Sequence, residues 1–283
     1  MGSGQPNPCW THSGSPAHRP ADRRRPGCGG FPPVRSSASR STPPACRAPP
    51  GDTVLDRVVS SYATTVREPV RDRARTPSPT RRVLAVALRH TPGAAELPGV
   101  EKETDALARQ LMLDVRLKGP QARYRTVLDA LPRHNRAHIA CHAISAADTA
   151  PGGHLPLHDH AQRLLATADI ARLRLDQAES AYLSACDTLG GRDAPADEAP
   201  HITGAFHTAG FRQVIGTLRS VDDEESAAIA NRFYATPTAG SPCAGGSADA
   251  SGAARAPHEA IRARRERSPA TPTLWAAHVH YGL

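Results

Sequence analysis

Four short apolar runs, separated by stretches with helical signals, constrain this chain more than any other feature. They are Arg82-Val-Leu-Ala-Val-Ala-Leu88, Ala137-His-Ile-Ala-Cys-His142, Ala181-Tyr-Leu-Ser-Ala-Cys186 and Gln213-Val-Ile-Gly-Thr-Leu218. The first shows no polar alternation across its middle, which suits a strand covered on both faces. Between the runs lie expected helices. One spans Leu97 to Leu113, with Pro98 near its start, Glu101 and Glu103 in its first turn, and Leu107, Leu111 and Leu113 on its apolar face. Others are expected around Val127 to Leu131, Ala168 to Leu173, Ala199 to Ala209, Asp222 to Tyr234 and His258 to Arg267. Strands alternating with helices in this way predict an α/β fold, a mostly parallel sheet flanked by helices on both faces.

The flanking segments read differently. Residues 1–51 hold eleven of the 27 prolines and seven arginines against one aspartate. That composition predicts a disordered Arg/Pro-rich tail preceding one folded domain over 52–283. Val54 to Tyr62 is apolar and β-rich, a charged connector with Pro77 and Pro79 follows, and residues 236–256 read as a surface loop. The arginines of Ile261-Arg-Ala-Arg-Arg-Glu-Arg267 are expected on a solvated helical face, and Asp222 to Glu225 as the acidic first turn of a helix.

The formal charge of +8 sits mainly in the tail, since residues 1–50 carry a net +6 and leave +2 for the rest. With 4% aromatic residues there is little on which bases would stack, so no specific nucleic-acid partner is expected. No run of eighteen apolar residues and no leader pattern is seen, and a cytoplasmic protein without a membrane partner is expected. The six cysteines show no paired C-x-x-C spacing, which favours reduced thiols over a disulfide framework. His154, His158 and His160 match no standard zinc spacing, so neither metal nor cofactor is expected.

The chemistry is expected at two strand ends. His142 and Cys186 close their apolar runs, and their separation of 44 residues leaves room for one crossover between adjacent parallel strands. Functional groups gather at the carboxyl ends of such strands. A cysteine thiol, with an ordinary pKa of about 8.5, needs a neighbouring base to become a nucleophile at neutral pH, and an imidazole serves. Each residue alone has an ordinary structural reading, a small buried Cys or a packed His; the pairing gives them a common chemical one.

Six stretches in order resemble the CHAT family, caspase-like peptidase domains often found with tetratricopeptide repeats and related to caspases and separases. They are Leu97-Pro-Gly-Val-Glu-Lys-Glu103, the runs ending in His142 and Cys186 (the latter extending to Thr188), Leu155-Pro-Leu-His-Asp159, Ala209 to Leu218, and Trp275-Ala-Ala-His-Val-His-Tyr-Gly282. The resemblance implies a caspase-like sheet and a cysteine endopeptidase cleaving a protein or peptide substrate. His142 would be its general base, Cys186 its nucleophile, and the backbone N–H groups of Ala143 and Cys186 its oxyanion hole. It also implies a repeat-containing partner protein. Asp187, Asp197 and Glu198 are the substrate-binding candidates, as carboxylates able to receive a basic side chain. The chain departs from the family pattern in carrying Ala143 where Gly follows the histidine, Arg219 where similar members carry Trp, and no visible upstream strand segment. These departures make a catalytically inactive or truncated interaction module the alternative expectation.

Overall fold

The fold is seen in a computed structural model that describes residues 53–63, 65, 67–76, 78, 80–144, 153–184, 201–217, 221–235 and 251–282, with backbone alone at 67–69 and 251–253. The chain divides into units 1–37 and 38–283, and every described residue lies in the second.

The helices are α1 (Val54–Arg57), α2 (Arg67–Ala74), α3 (Gly99–Gln110), α4 (Tyr124–Ala130), α5 (Thr167–Ala171), α6 (Ile202–Ala209), α7 (Asp223–Ala235) and α8 (Ser251–Arg267). The strands are β1 (Val83–Ala87), β2 (Val115–Lys118), β3 (Arg136–Ala140), β4 (His154–Leu155), β5 (Leu165–Ala166), β6 (Ser180–Ser184), β7 (Gln213–Thr217) and β8 (His278–Gly282). Six strands form one sheet in the order β2-β1-β3-β6-β7-β8, and β4 pairs with β5 in a separate antiparallel ribbon. All pairs of the main sheet are parallel except β7 with β8. The four apolar runs are therefore four consecutive inner strands, β1, β3, β6 and β7, as the α/β reading expects.

Alternation along each strand explains the two-faced cover. Leu84, Val86, Ile139, Leu183 and Val214 point to one face and pack with Val127 of α4, Ile170 of α5 and Phe206 of α6. Their neighbours point the other way: Ala85 meets Leu107 of α3 and Leu111 just beyond it, while Tyr182 and Ile215 meet Ala230 and Phe233 of α7. Complete burial of each large apolar side chain contributes about 1.5–3 kcal/mol, which makes this double cover the main stabilising element of the fold. Small residues on the second face, Ala87 and Ala140, leave room for Val100 at the start of α3.

Several boundaries differ from expectation, each for a physical reason. The Val54–Tyr62 stretch forms no strand: Thr53 and Asp56 cap one turn of α1, Ser61 reaches β8 through its side chain, and Tyr62 forms a backbone bridge to the sheet. There its N–H donates to His280 O at 2.8 Å and its carbonyl accepts from Gly282 N at 3.0 Å, and its ring stacks on Tyr281. One bridge thus lies against β8 at the edge of the sheet. The charged connector contains α2. β2 was not anticipated because its pattern, Val-Arg-Leu-Lys, buries only Leu117; Arg116 pairs with Asp105 at 2.6 Å on this edge, where charge discourages further strand pairing.

At the C-terminal end, α8 begins at Ser251, so residues 251–256 are helical rather than loop; residues 236–250 lie outside the described set. Its arginines are not a solvated face throughout. Arg264 pairs with Glu225 of α7, and Arg265 with Asp56 of α1, all four side chains being partly buried. The acidic first turn of α7 is as expected, with Asp222 Oδ1 accepting from the N–H groups of Glu224 (3.1 Å) and Glu225 (3.3 Å). Among the described residues no helix is long and apolar enough to cross a membrane.

Candidate active site

β3 and β6 lie side by side and parallel, with Ala140 opposite Ser184 at their carboxyl ends. In the sequence His142 comes two residues after Ala140, and Cys186 two residues after Ser184. Cys186, Asp187, Asp197 and Glu198 fall outside the described residues, so the observed half of the expected dyad is the histidine.

His142 is half-buried, and its Nε2 lies 2.8 Å from the carbonyl oxygen of Ala95. A carbonyl only accepts, so Nε2 carries the hydrogen, and in the neutral ring the lone pair is on Nδ1. The acceptor is fixed by the loop between β1 and α3. Arg89 at the start of that loop reaches Glu96 at 3.2 Å and Glu101 at 3.0 Å, and its carbonyl accepts from Leu97 N at 2.9 Å. Glu101, expected in the first turn of the helix, is thus a brace for the loop that orients His142. Beyond the histidine the chain turns at once into an antiparallel bridge, Ile144 exchanging hydrogen bonds of 3.0 and 2.9 Å with His154. Ala143 is held between those two fixed points and packs partly against the core.

Beneath the strand ends lies a polar cluster that sequence reasoning missed. Glu103 of α3 is only 2% exposed. Its Oε2 accepts from Ser184 Oγ at 2.8 Å, and its Oε1 lies 3.2 Å from His138 Nε2. The serine has one hydrogen, so its 2.9 Å contact with Ser226 Oγ is donated from the α7 side. His138 Nδ1 lies 3.0 Å from Tyr234 Oη, and its ring stacks on Tyr182. Burial first, and then the Glu103 charge, push the Tyr182 and Tyr234 phenols well above their ordinary value. The available signal was a glutamate at a helix position shared with Val100 and Leu107, and a histidine inside an apolar run. Helical and strand periodicity place both indoors, and a buried carboxylate requires donors.

The other cysteine of the run, Cys141, is buried at 1% exposure on the opposite face, in the apolar core. His154 is buried, which lowers its pKa, and among the described residues no cluster could hold a metal ion.

A family model described as the CHAT domain matches residues 34–283, and the chain belongs to the CHAT domain family. Solved structures of similar fold include the complex of the pro- and mature domains of RgpB from Porphyromonas gingivalis, at 13% identity and TM-score 0.48, covering 71% of this chain and 47% of that one. The Arg-specific cysteine proteinase gingipain R matches at 13% identity and TM-score 0.49, covering 71% of this chain and 46% of that one. The separase–securin complex of Saccharomyces cerevisiae matches at 13% identity and TM-score 0.48, over 73% of this chain and 13% of that one. The chain spans less than half the length of the gingipain chains. No curated protein matches it.

Proposed function

We propose that this chain is a cysteine endopeptidase acting on a protein or peptide substrate through Cys186 and His142. The observation that carries the reading is the Ala140–Ser184 register, from which both residues follow at the same offset in the sequence. The tautomer enforced by Ala95 supports it, because it turns the basic nitrogen of His142 away from its anchor. CHAT membership supports it further.

In this mechanism His142 Nδ1 takes the proton of the Cys186 thiol as the sulfur attacks the scissile carbonyl carbon. The carbonyl oxygen gains negative charge and is stabilised by the backbone N–H groups of Ala143 and Cys186. Collapse breaks the C–N bond, with the imidazolium returning its proton to the leaving amine. Water then attacks the thioester, with His142 again accepting a proton, and releases the acid. The chemistry requires no cofactor. Asp187, Asp197 and Glu198 would favour a basic residue before the scissile bond, and an associated repeat protein would present the substrate.

Hydrolysis of a pool of quenched fluorescent peptides by the full chain tests this. Turnover is expected to fall by about a thousandfold or more in Cys186→Ala and in His142→Ala. Turnover that survives in Cys186→Ala contradicts the proposal, and a folded but inert wild type points to a protein-interaction module.

A further inference from the structure

We infer that Glu103 is a positioning residue for the proposed dyad, setting the relative placement of the strand ends that lead to His142 and Cys186. The inference deepens the peptidase reading and rests on it. One carboxylate reaches both strands: Oε1 stands 3.2 Å from His138 of β3, and Oε2 accepts the 2.8 Å hydrogen bond from Ser184 of β6. His138 lies four residues before His142, and Ser184 two before Cys186.

The carboxylate cannot relax into water, because Glu103, His138 and Ser184 are 2%, 0% and 7% exposed. Ser184 supplies the hydrogen bond to Oε2, whereas Oε1 and His138 Nε2 face each other at 3.2 Å and, among the described residues, neither has a hydrogen-bond partner. Moving away from Ser184 would strip the buried carboxylate of that donor, so the Ser184 arrangement is preferred. Both flanking helices join the same network. α3 supplies Glu103, and α7 supplies Ser226 to Ser184 and Tyr234 to His138. Asp223 of α7 also accepts a hydrogen bond from Gly99 N at the start of α3, tying the two helices together directly. Sliding β6 against β3 by a fraction of a residue breaks the Ser184 contact, whereas the apolar packing around it tolerates small shifts. The network therefore supplies a directional constraint that burial alone lacks.

The test is the pH dependence of Cys186 alkylation by iodoacetamide in the full-length chain, read on the Cys186 peptide by mass spectrometry, together with peptide turnover. In wild type the alkylation midpoint is expected below that of a free thiol, about 8.5, and His142→Ala moves it toward that value. Ser184→Ala, which removes one hydroxyl, is expected to move the midpoint in the same direction and lower kcat about tenfold with KM unchanged. Glu103→Ala should do the same or more. Glu103→Gln keeps an oxygen acceptor for Ser184 and puts an NH2 donor in place of the second oxygen, which neutral His138 meets with its lone pair on Nε2 and its Nδ1–H toward Tyr234 Oη, and it should restore most of the wild-type profile. Wild-type midpoints and kcat in both Ser184→Ala and Glu103→Ala, with His142→Ala still shifted, overturn the positioning role and leave the dyad standing. A midpoint unmoved in His142→Ala overturns the dyad itself, and the positioning role with it. Should Glu103→Ala fail to fold, Ser184→Ala decides alone.

Discussion

Ala140 and Ser184 are register partners across two parallel strands, and Ser184 is in turn bound at 2.8 Å by a glutamate from the covering helix. A backbone ladder and a side-chain network thus fix the same strand end. His142, beyond Ala140, is fixed separately by the Ala95 carbonyl at 2.8 Å.

The C-terminal strand makes the fold sensitive to acid. His278 and His280 are fully enclosed, and burial lowers their pKa values to about 4 and about 3, from an ordinary 6.5. Both are neutral when folded, so the unfolded chain binds more protons as pH falls below 6.5. Stability is therefore full above about pH 7 and declines toward the folded values, each ring removing about 2 kcal/mol by pH 5. Urea midpoints at pH 7.5 and pH 5 measure this. His278→Leu should flatten the slope; equal wild-type midpoints at the two pH values would refute the assignment.

A second buried charge pins α2 to the sheet's cover. Asp72 is 0% exposed, with Oδ2 3.2 Å from His207 Nε2 of α6 and Oδ1 3.9 Å from Arg75. Arg75 goes on to donate to the carbonyl of Gly210 at 2.6 Å. Removing one partner of such a group leaves the others buried without their counter-charge, and Asp72→Ala should cost about 3 kcal/mol in chemical denaturation. A loss below about 1 kcal/mol would show that α2 is not integral to the fold.

Gly210 is the most demanding backbone position near α6. Its φ is +131°, and a Cβ there would stand 2.5 Å from the carbonyl oxygen of Leu175. That carbonyl belongs to the turn whose N–H reaches Ala209 O at 2.9 Å, so it has little room to yield. Gly210→Ala is expected to lower stability by about 2 to 3 kcal/mol through backbone strain and the clash. A melting temperature equal to wild type would contradict the geometry.

The sheet was legible in the sequence because its four inner strands are short apolar runs, and two-sided burial leaves no room for other patterns. His142 was legible for the same reason, as the polar residue that ends a run. β2 was not, since an edge strand with one buried residue carries no periodic signal. α1 and α8 were obscured by composition: valines that read as strand sit on a capped turn, and Gly, Ala and Ser before Pro257 read as loop. The Glu103 network is hidden in the sequence because an acidic first turn accounts for both glutamates, although Glu101 alone fills that role and the Glu103 carboxylate faces inward. Local sequence shows which residues share a helix face, but not which strand that face will meet.

The central claim is that Cys186 is a nucleophile activated by His142, and covalent labelling by an electrophilic peptide tests it most directly. In the full-length chain the label is predicted on Cys186, with labelling absent in Cys186→Ala and slowed by about a hundredfold or more in His142→Ala. Labelling that persists in Cys186→Ala, or that proceeds at the wild-type rate without His142, would contradict it.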